Sequence, residues 1–265
     1  MTATTTSAAI ESGPSTFKLD SIRPVAPIST GNMEIDKRIG GGLPRHSFTL
    51  VEGQSDAGKS VVLQQLCWGA MSADESVALY TTENTVKSLL RQMTSLGMDC
   101  TDYFLLKRFH IVPVRPEGME WAEPTDPTLA RIHDRRSGRR WALLDHLRES
   151  KYDVLLIDSL TSMLMQASDR EVLDLFAGCK RLCDEGKTIV VTVHTHAFEQ
   201  SLLVRARSLC DAHLHLRIEQ VGEQLIKVME VAKVRGAERN TGNVVSFDVE
   251  PGLGMRLIPV TKAKA

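Results

Sequence analysis

The sequence has no apolar run long enough to cross a bilayer; its longest, such as Val154 to Ile157 and Ile189 to Val193, fall far short of the ~20 residues a spanning helix needs. It has no excess of either charge. With 32 lysines and arginines against 33 aspartates and glutamates, the chain as a whole offers no electrostatic footprint for nucleic acid or anionic lipid. Residues 1–15 are rich in Thr, Ala and Ser but lack the basic start and apolar stretch of a secretory signal, so a disordered tail over 1–20 and a cytoplasmic protein are expected. Cysteines are few and odd in number: Cys67, Cys100, Cys179, Cys183 and Cys210 are too scattered for a disulfide framework and read as reduced, buried thiols. Cys179 and Cys183 stand four apart on an expected helix, and His194/His196 and His213/His215 form His-x-His pairs. No Cys-x-x-Cys companion completes a zinc ligand set.

What is present is a chain of 265 residues, 42% hydrophobic, enough for one large α/β core, expected over 21–260 with a short tail at 261–265. A short helical stretch at 33–39 is broken by Gly40-Gly41-Gly42-Leu43-Pro44. A strand follows at 47–52, a helix at 60–71 and a buried strand at 76–81. The alternation continues with a helix at 85–96, a strand at 109–114, a helix at 141–148, a strand at 153–158, a helix at 171–185 and a strand at 188–193. Such alternation implies a mostly parallel sheet flanked by helices. Residues 115–140, rich in proline and glycine at the start and carrying Arg135, Arg136, Arg139 and Arg140 near the end, read as an inserted surface loop. After Asp211 the texture becomes four strands with turns at Val221-Gly222-Glu223 and Pro251-Gly252-Leu253-Gly254, expected as antiparallel hairpins closing the sheet's edge.

Gly53-Gln54-Ser55-Asp56-Ala57-Gly58-Lys59-Ser60, followed by Val61, matches the phosphate-loop pattern G-x-x-x-x-G-K-[ST] between an expected strand and an expected helix. Glycines let the backbone curl so that its N–H groups face phosphate oxygens, and the helix adds the positive end of its dipole. Lys59 is assigned to the β- and γ-phosphates and the Ser60 hydroxyl to Mg²⁺. The apolar strand 153–158 ends in Asp158, the second metal-side group, direct or through water. Asp158 is followed by Ser159 rather than Glu, so the water-activating role falls to Glu83 at the end of the neighbouring strand; a charge at a helix N-terminus is the competing reading. His194, closing its strand, is a γ-phosphate sensor or a satisfied strand-end histidine. Lys233 and Arg235, two apart before Gly236, suit a finger directed at a neighbouring subunit's nucleotide or a solvated edge. Asp56 sets a carboxylate inside the phosphate loop.

Together, Ile39-Gly-Gly-Gly-Leu-Pro44, the phosphate loop, Tyr80-Thr-Thr-Glu83, Asp153 to Ser159, Val193-His194 and Lys233-Val-Arg-Gly236 resemble the KaiC-like branch of the RecA superfamily, from about Ile28 to Val260. Within that branch, Gly58-Lys-Ser-Val61 with Gln64-Gln65, Thr82-Glu83, Gln92-Met-x-Ser-x-Gly97 and Ile157-Asp-Ser-Leu160 are most similar to the accessory subfamily of the archaellum, the archaeal flagellum. The resemblance implies an ATP- and Mg²⁺-binding protein at the inner face of the cell membrane, forming a hexameric ring beneath a rotary filament. It also implies contact with the motor's ATPase and membrane platform, with hydrolysis weak and nucleotide binding regulatory. Asp56-Ala57 stands where many KaiC-like loops have Gly-Thr, and His46 where Gly often follows Pro-Arg; the first of these puts brisk turnover in question. Two other functions remain open: a RecA-like DNA-processing ATPase, for which the only basic stretch is 131–140, and a KaiC-like autophosphorylating signalling protein using Thr161 or Ser162.

Overall fold

A computed structural model describes residues 26–114, 139–237 and 243–258. Nine strands form one sheet in the order β3-β2-β4-β5-β1-β6-β7-β8-β9. They are β1 (Phe48–Gly53), β2 (Val77–Thr81), β3 (Phe109–Pro113), β4 (Val154–Asp158), β5 (Thr188–His194), β6 (Ala212–Val221), β7 (Gln224–Val234), β8 (Val244–Glu250) and β9 (Gly254–Ile258). The first six run parallel. The last three continue the sheet in antiparallel pairs from β6. This is the mostly parallel, helix-flanked core with an antiparallel C-terminal extension that the alternation implied, and β6 refines it: expected as one arm of an edge hairpin, it also pairs parallel with β1 from Thr49↔Ala212 to Gly53↔Leu216. The strand period alone does not distinguish these pairings, because it reports which faces of a strand are buried and not which strands lie beside it.

Strand pleating splits the core in two. Val51, Val154, Leu156 and Val190 face one layer, with Ile35 of α1 (Met33–Arg38), Leu63 and Leu66 of α2 (Lys59–Ser72) and Leu89 of α3 (Val86–Ser95). Phe48, Leu50, Leu155, Ile157 and Val191 face the other. That layer holds Leu143 of α5 (Arg139–Glu149), Leu160 of α6 (Leu160–Leu164), Phe176 of α7 (Asp169–Asp184) and Leu203 of α8 (Gln200–Leu209). The remaining helix among the described residues, α4 (Thr101–Leu105), precedes the edge strand β3, whose terminal Pro113 is tolerated at an edge.

α7 begins earlier than the apolar period suggests because Ser168 and Glu171 form a reciprocal capping box. α4, α6 and α8 lie in stretches where the apolar pattern had marked no helix; two of them are single turns, too short to show a period. α5 starts at Arg139, inside the stretch expected as the inserted loop; the rest of that loop and both tails, 1–20 and 261–265, lie outside the described residues.

Candidate nucleotide-binding site

Parallel pairing brings the C-terminal ends of β1, β2, β4 and β5 to one edge of the sheet. There a cleft of about 520 Å³ is lined by Ser55, Asp56, Gly58, Lys59, Ser60, Val61, Glu83, Asp158, His194, Lys227 and Val249. Gly53, the last residue of β1, opens the loop that leads to it, and Gln54 and Ala57 complete the turn. Gly58 is the N-cap of α2 at φ 94°, a left-handed conformation that suits glycine, and no side chain caps the helix. The first N–H groups of a 14-residue helix therefore face the cleft without a side-chain partner, the arrangement an anion satisfies.

Lys59 is buried and its ammonium donates to the Gln54 carbonyl (2.7 Å) and lies 3.3 Å from His194 Nδ1. Burial lowers its pKa, opposed by the negative charges of Asp158, Glu83 and Asp56. Burial, then the Lys59 charge, also lowers the pKa of His194, which favours the neutral imidazole beside the lysine. The His194 N–H is held by the Thr161 hydroxyl (2.9 Å). Asp158 is buried, and Thr192 donates to its Oδ1 (2.8 Å), which fixes the carboxylate and leaves acceptor capacity on it. Thr82 N–H donates to the Asp158 carbonyl (2.8 Å), locking the end of β2 onto the end of β4 and setting Glu83, exposed, on the rim of the cleft.

The donor set fits a nucleoside triphosphate with Mg²⁺. A loop of amides and one buried lysine answers polyphosphate charge, and a serine hydroxyl with an oriented carboxylate answers a hard, oxygen-seeking cation. Mg²⁺ held at Ser60 and Asp158 would supply charge neutralisation on the phosphates.

Both departures from the KaiC-like pattern fall where the backbone is left-handed: His46 at φ 51° and Asp56 at φ 59°. Glycine would adopt these angles without strain, so each substitution carries a conformational cost. Asp56 is exposed on the cleft's wall.

Lys233 and Arg235 are not in this cleft. β7 runs antiparallel to β6, so Lys233, opposite His213, lies at the other end of the sheet. Its ammonium donates to the Cys210 carbonyl, and to that of Arg207 at 3.5 Å, beyond the C-terminus of α8. Arg235, one residue past β7 and exposed, is 3.5 Å from Asp211, which also accepts from Lys180 (2.8 Å) and from the Phe48 N–H (3.0 Å). Among the described residues no group of three or more His, Cys, Asp or Glu is arranged to hold a metal; His213 instead meets Glu52 at 3.1 Å, and all five cysteines are free and buried. Lys227 and Val249 line the cleft from the C-terminal strands and carry no motif. Only their register beside the phosphate loop reveals them.

A parallel sheet that delivers a phosphate loop from one strand and a buried aspartate from another two places away defines the RecA-like class of P-loop ATPase. Within that class the chain belongs to the KaiC ATPase family, whose model matches residues 28–261. It is 27% identical over 238 residues to the archaeal flagellar ATP-binding protein FlaH of Sulfolobus acidocaldarius, covering 90% of this chain and 99% of that one. It is similar to the crystal structure of the flagellar accessory protein FlaH from Methanocaldococcus jannaschii, with a TM-score of 0.72 and 26% identity over 89% of this chain and 99% of that one. The circadian clock oscillator protein KaiC of Prochlorococcus marinus subsp. pastoris is 28% identical, but its match spans only 42% of that protein.

Proposed function

We propose that this protein is an ATP-binding accessory component of an archaellum-type filament machine, forming a nucleotide-dependent ring, taken as hexameric, on the cytoplasmic side of the membrane. The observation that carries the reading is the convergence of Lys59, Ser60 and Asp158 in one cleft of a chain matching flagellar ATP-binding proteins over nearly their whole length. Lys59 would bind the β- and γ-phosphates, Ser60 and Asp158 would hold Mg²⁺, Glu83 would orient or deprotonate water, and His194, through its contact with Lys59, would register the γ-phosphate. Lys233 and Arg235, at the far end of the sheet, lie away from this chain's own cleft and are suited only to a neighbour's. The motor's ATPase and the membrane platform are the proposed partners. No described helix is long and apolar enough to cross a membrane, so attachment would go through them.

The emphasis on binding rests on Asp56 beside the phosphates and on Glu83 at an exposed rim, both unfavourable to fast hydrolysis. Thr161, one candidate for self-phosphorylation, is buried and accepts from the His194 N–H, which argues against that alternative at this residue. Lys59→Ala is expected to abolish MgATP binding in a calorimetric titration of folded protein and to abolish any ATP-dependent rise in mass by light scattering. Unchanged ATP affinity in the variant would refute the site.

A further inference from the structure

β5 is an aliphatic strand with one interruption. Ile189, Val190, Val191 and Val193 are buried, and Thr192, on the face that carries Val190 and meets the layer of α2, sets a hydroxyl with no exposed surface among them. Valine has nearly the same shape and would bury there without a polar atom, so a threonine at this place needs a partner. Its hydroxyl has one proton and two acceptors within reach, Asp158 Oδ1 at 2.8 Å and the Ile157 carbonyl at 3.4 Å. The proton goes to the carboxylate, the shorter contact.

Asp158 is thereby held at both its main chain and its side chain. The main chain pairs with β2 at Thr81↔Asp158, and the Asp158 carbonyl accepts from the Thr82 N–H at 2.8 Å. The side chain is tied from the opposite neighbour, β5, at Oδ1 alone. A bond at one oxygen removes much of the carboxylate's freedom to turn. It leaves Oδ2 without a hydrogen-bond partner among the described residues, in a side chain that lines the cleft with Ser60. Thr192 is not among the residues lining the cleft, so whatever it contributes there passes through Asp158.

We infer that Thr192 is a positioning residue for the divalent cation that accompanies the nucleotide, and that by fixing Asp158 it sets the site's preference for Mg²⁺ over the larger Ca²⁺. The inference rests on the nucleotide-binding reading above. Mg²⁺ demands a nearly ideal octahedron of oxygens at short distances, whereas Ca²⁺ accepts more ligands in flexible arrangements. A carboxylate pinned at one oxygen suits the first ion. Freed to turn, the same carboxylate serves the second nearly as well.

The test is a calorimetric titration of the full chain with ATP in the presence of Mg²⁺, of Ca²⁺ and of chelator alone, comparing wild type, Thr192→Val, Thr192→Ser and Lys59→Ala. Valine keeps the shape and serine keeps the hydroxyl, so the two separate packing from hydrogen bonding. Thr192→Val is expected to lose about tenfold in Mg²⁺-supported affinity, the weight of one hydrogen bond to a charged group, and less than about threefold with Ca²⁺ or chelator. Thr192→Ser should recover most of the Mg²⁺-supported affinity. Should Thr192→Val fail to fold, Thr192→Cys, whose thiol is a weak donor, carries the same comparison. Equal losses under all three conditions mean a purely structural role and overturn the inference, as do unchanged affinity with Mg²⁺ and failure of serine to restore it. If wild type binds ATP under none of the conditions, the proposed function itself falls. Tight Mg²⁺-supported binding in wild type, its loss in Lys59→Ala and indifference in Thr192→Val overturn this inference alone.

Discussion

At Glu52 a carboxylate with no exposed surface is held by two hydrogen bonds from Arg207, at 2.6 and 2.7 Å, and by His213 at 3.1 Å, on the face of the sheet away from α2. Burial pushes its pKa up, but the hydrogen bonds from His213 and Arg207 outweigh it and bring the carboxyl from 4.5 down to about 2. A depressed folded-state value means stability that is fully present above pH 4.5 and is lost as pH falls toward 2. Glu52→Gln leaves Arg207 without its counter-charge and is expected to cost about 3 kcal/mol at neutral pH by denaturant unfolding. The same titration at pH 3 should show a smaller gap between variant and wild type; an equal gap at both pH values would mean the carboxylate's charge is not what stabilises. The cluster was not legible in the chain, since Glu52, Arg207 and His213 are far apart in sequence and a glutamate before a phosphate loop signals nothing by itself. Lys59, Ser60 and Asp158 were legible because phosphate chemistry demands a loop of fixed spacing and a strand-end carboxylate.

Helices were readable where burial imposes a period, as in α3 and α7, a buried strand where it imposes a continuous apolar run, as in β4, and neither signal exists in the single turns α4 and α6. What the period omits is how closely elements approach, and two glycines separate the cases. Gly69, within α2, faces the backbone of Ser29 and Thr30, and an added methyl would collide with main-chain atoms that have no rotamer to change. Gly178, within α7, is met first by the side chain of Leu144, its methyl groups nearest. Gly69→Ala is therefore expected to destabilise by at least about 2 kcal/mol despite alanine's helix preference, and Gly178→Ala to stay within about 1 kcal/mol of wild type. Urea unfolding of the two variants side by side decides it, and equal effects would show that the backbone at 29–30 yields. Gln65 Nε2 donates to the Thr30 carbonyl (2.7 Å), which ties the same segment to α2 and argues that it does not yield.

Across the whole molecule, β7 spans two regions of opposite character. Lys227 stands beside this chain's phosphate loop, and six residues on, roughly 20 Å away at the rise of an extended strand, Lys233 leads to Arg235 at the opposite end of the sheet. In the proposed ring, one continuous strand would stand beside its own phosphate loop at one end and present cations toward a neighbour at the other. The Arg235 guanidinium reaches Asp211 only at 3.5 Å and is largely exposed, while the bond from its backbone N–H to the Asp211 carbonyl survives substitution, so the side chain can be removed without disturbing the core. Arg235→Ala is expected to leave ATP affinity of the isolated subunit within about twofold, because a cation at the sheet's far end contributes no contact there, while lowering the ATP-dependent mass by light scattering. An unaltered mass distribution would remove Arg235 from the interface.

The sequence by itself determined the phosphate loop, its strand–loop–helix setting, the aspartate of β4 and the largely parallel layering, because each depends on local spacing or on a burial period carried by contiguous residues. Only the tertiary structure decided that β6 lies parallel to β1, that Lys227 and Phe247 come to rest against Gly58, and that Lys233 and Arg235 sit at the end of the sheet remote from the loop. These depend on strand order and register, which arise from contacts between residues distant in the chain and leave no local pattern to read.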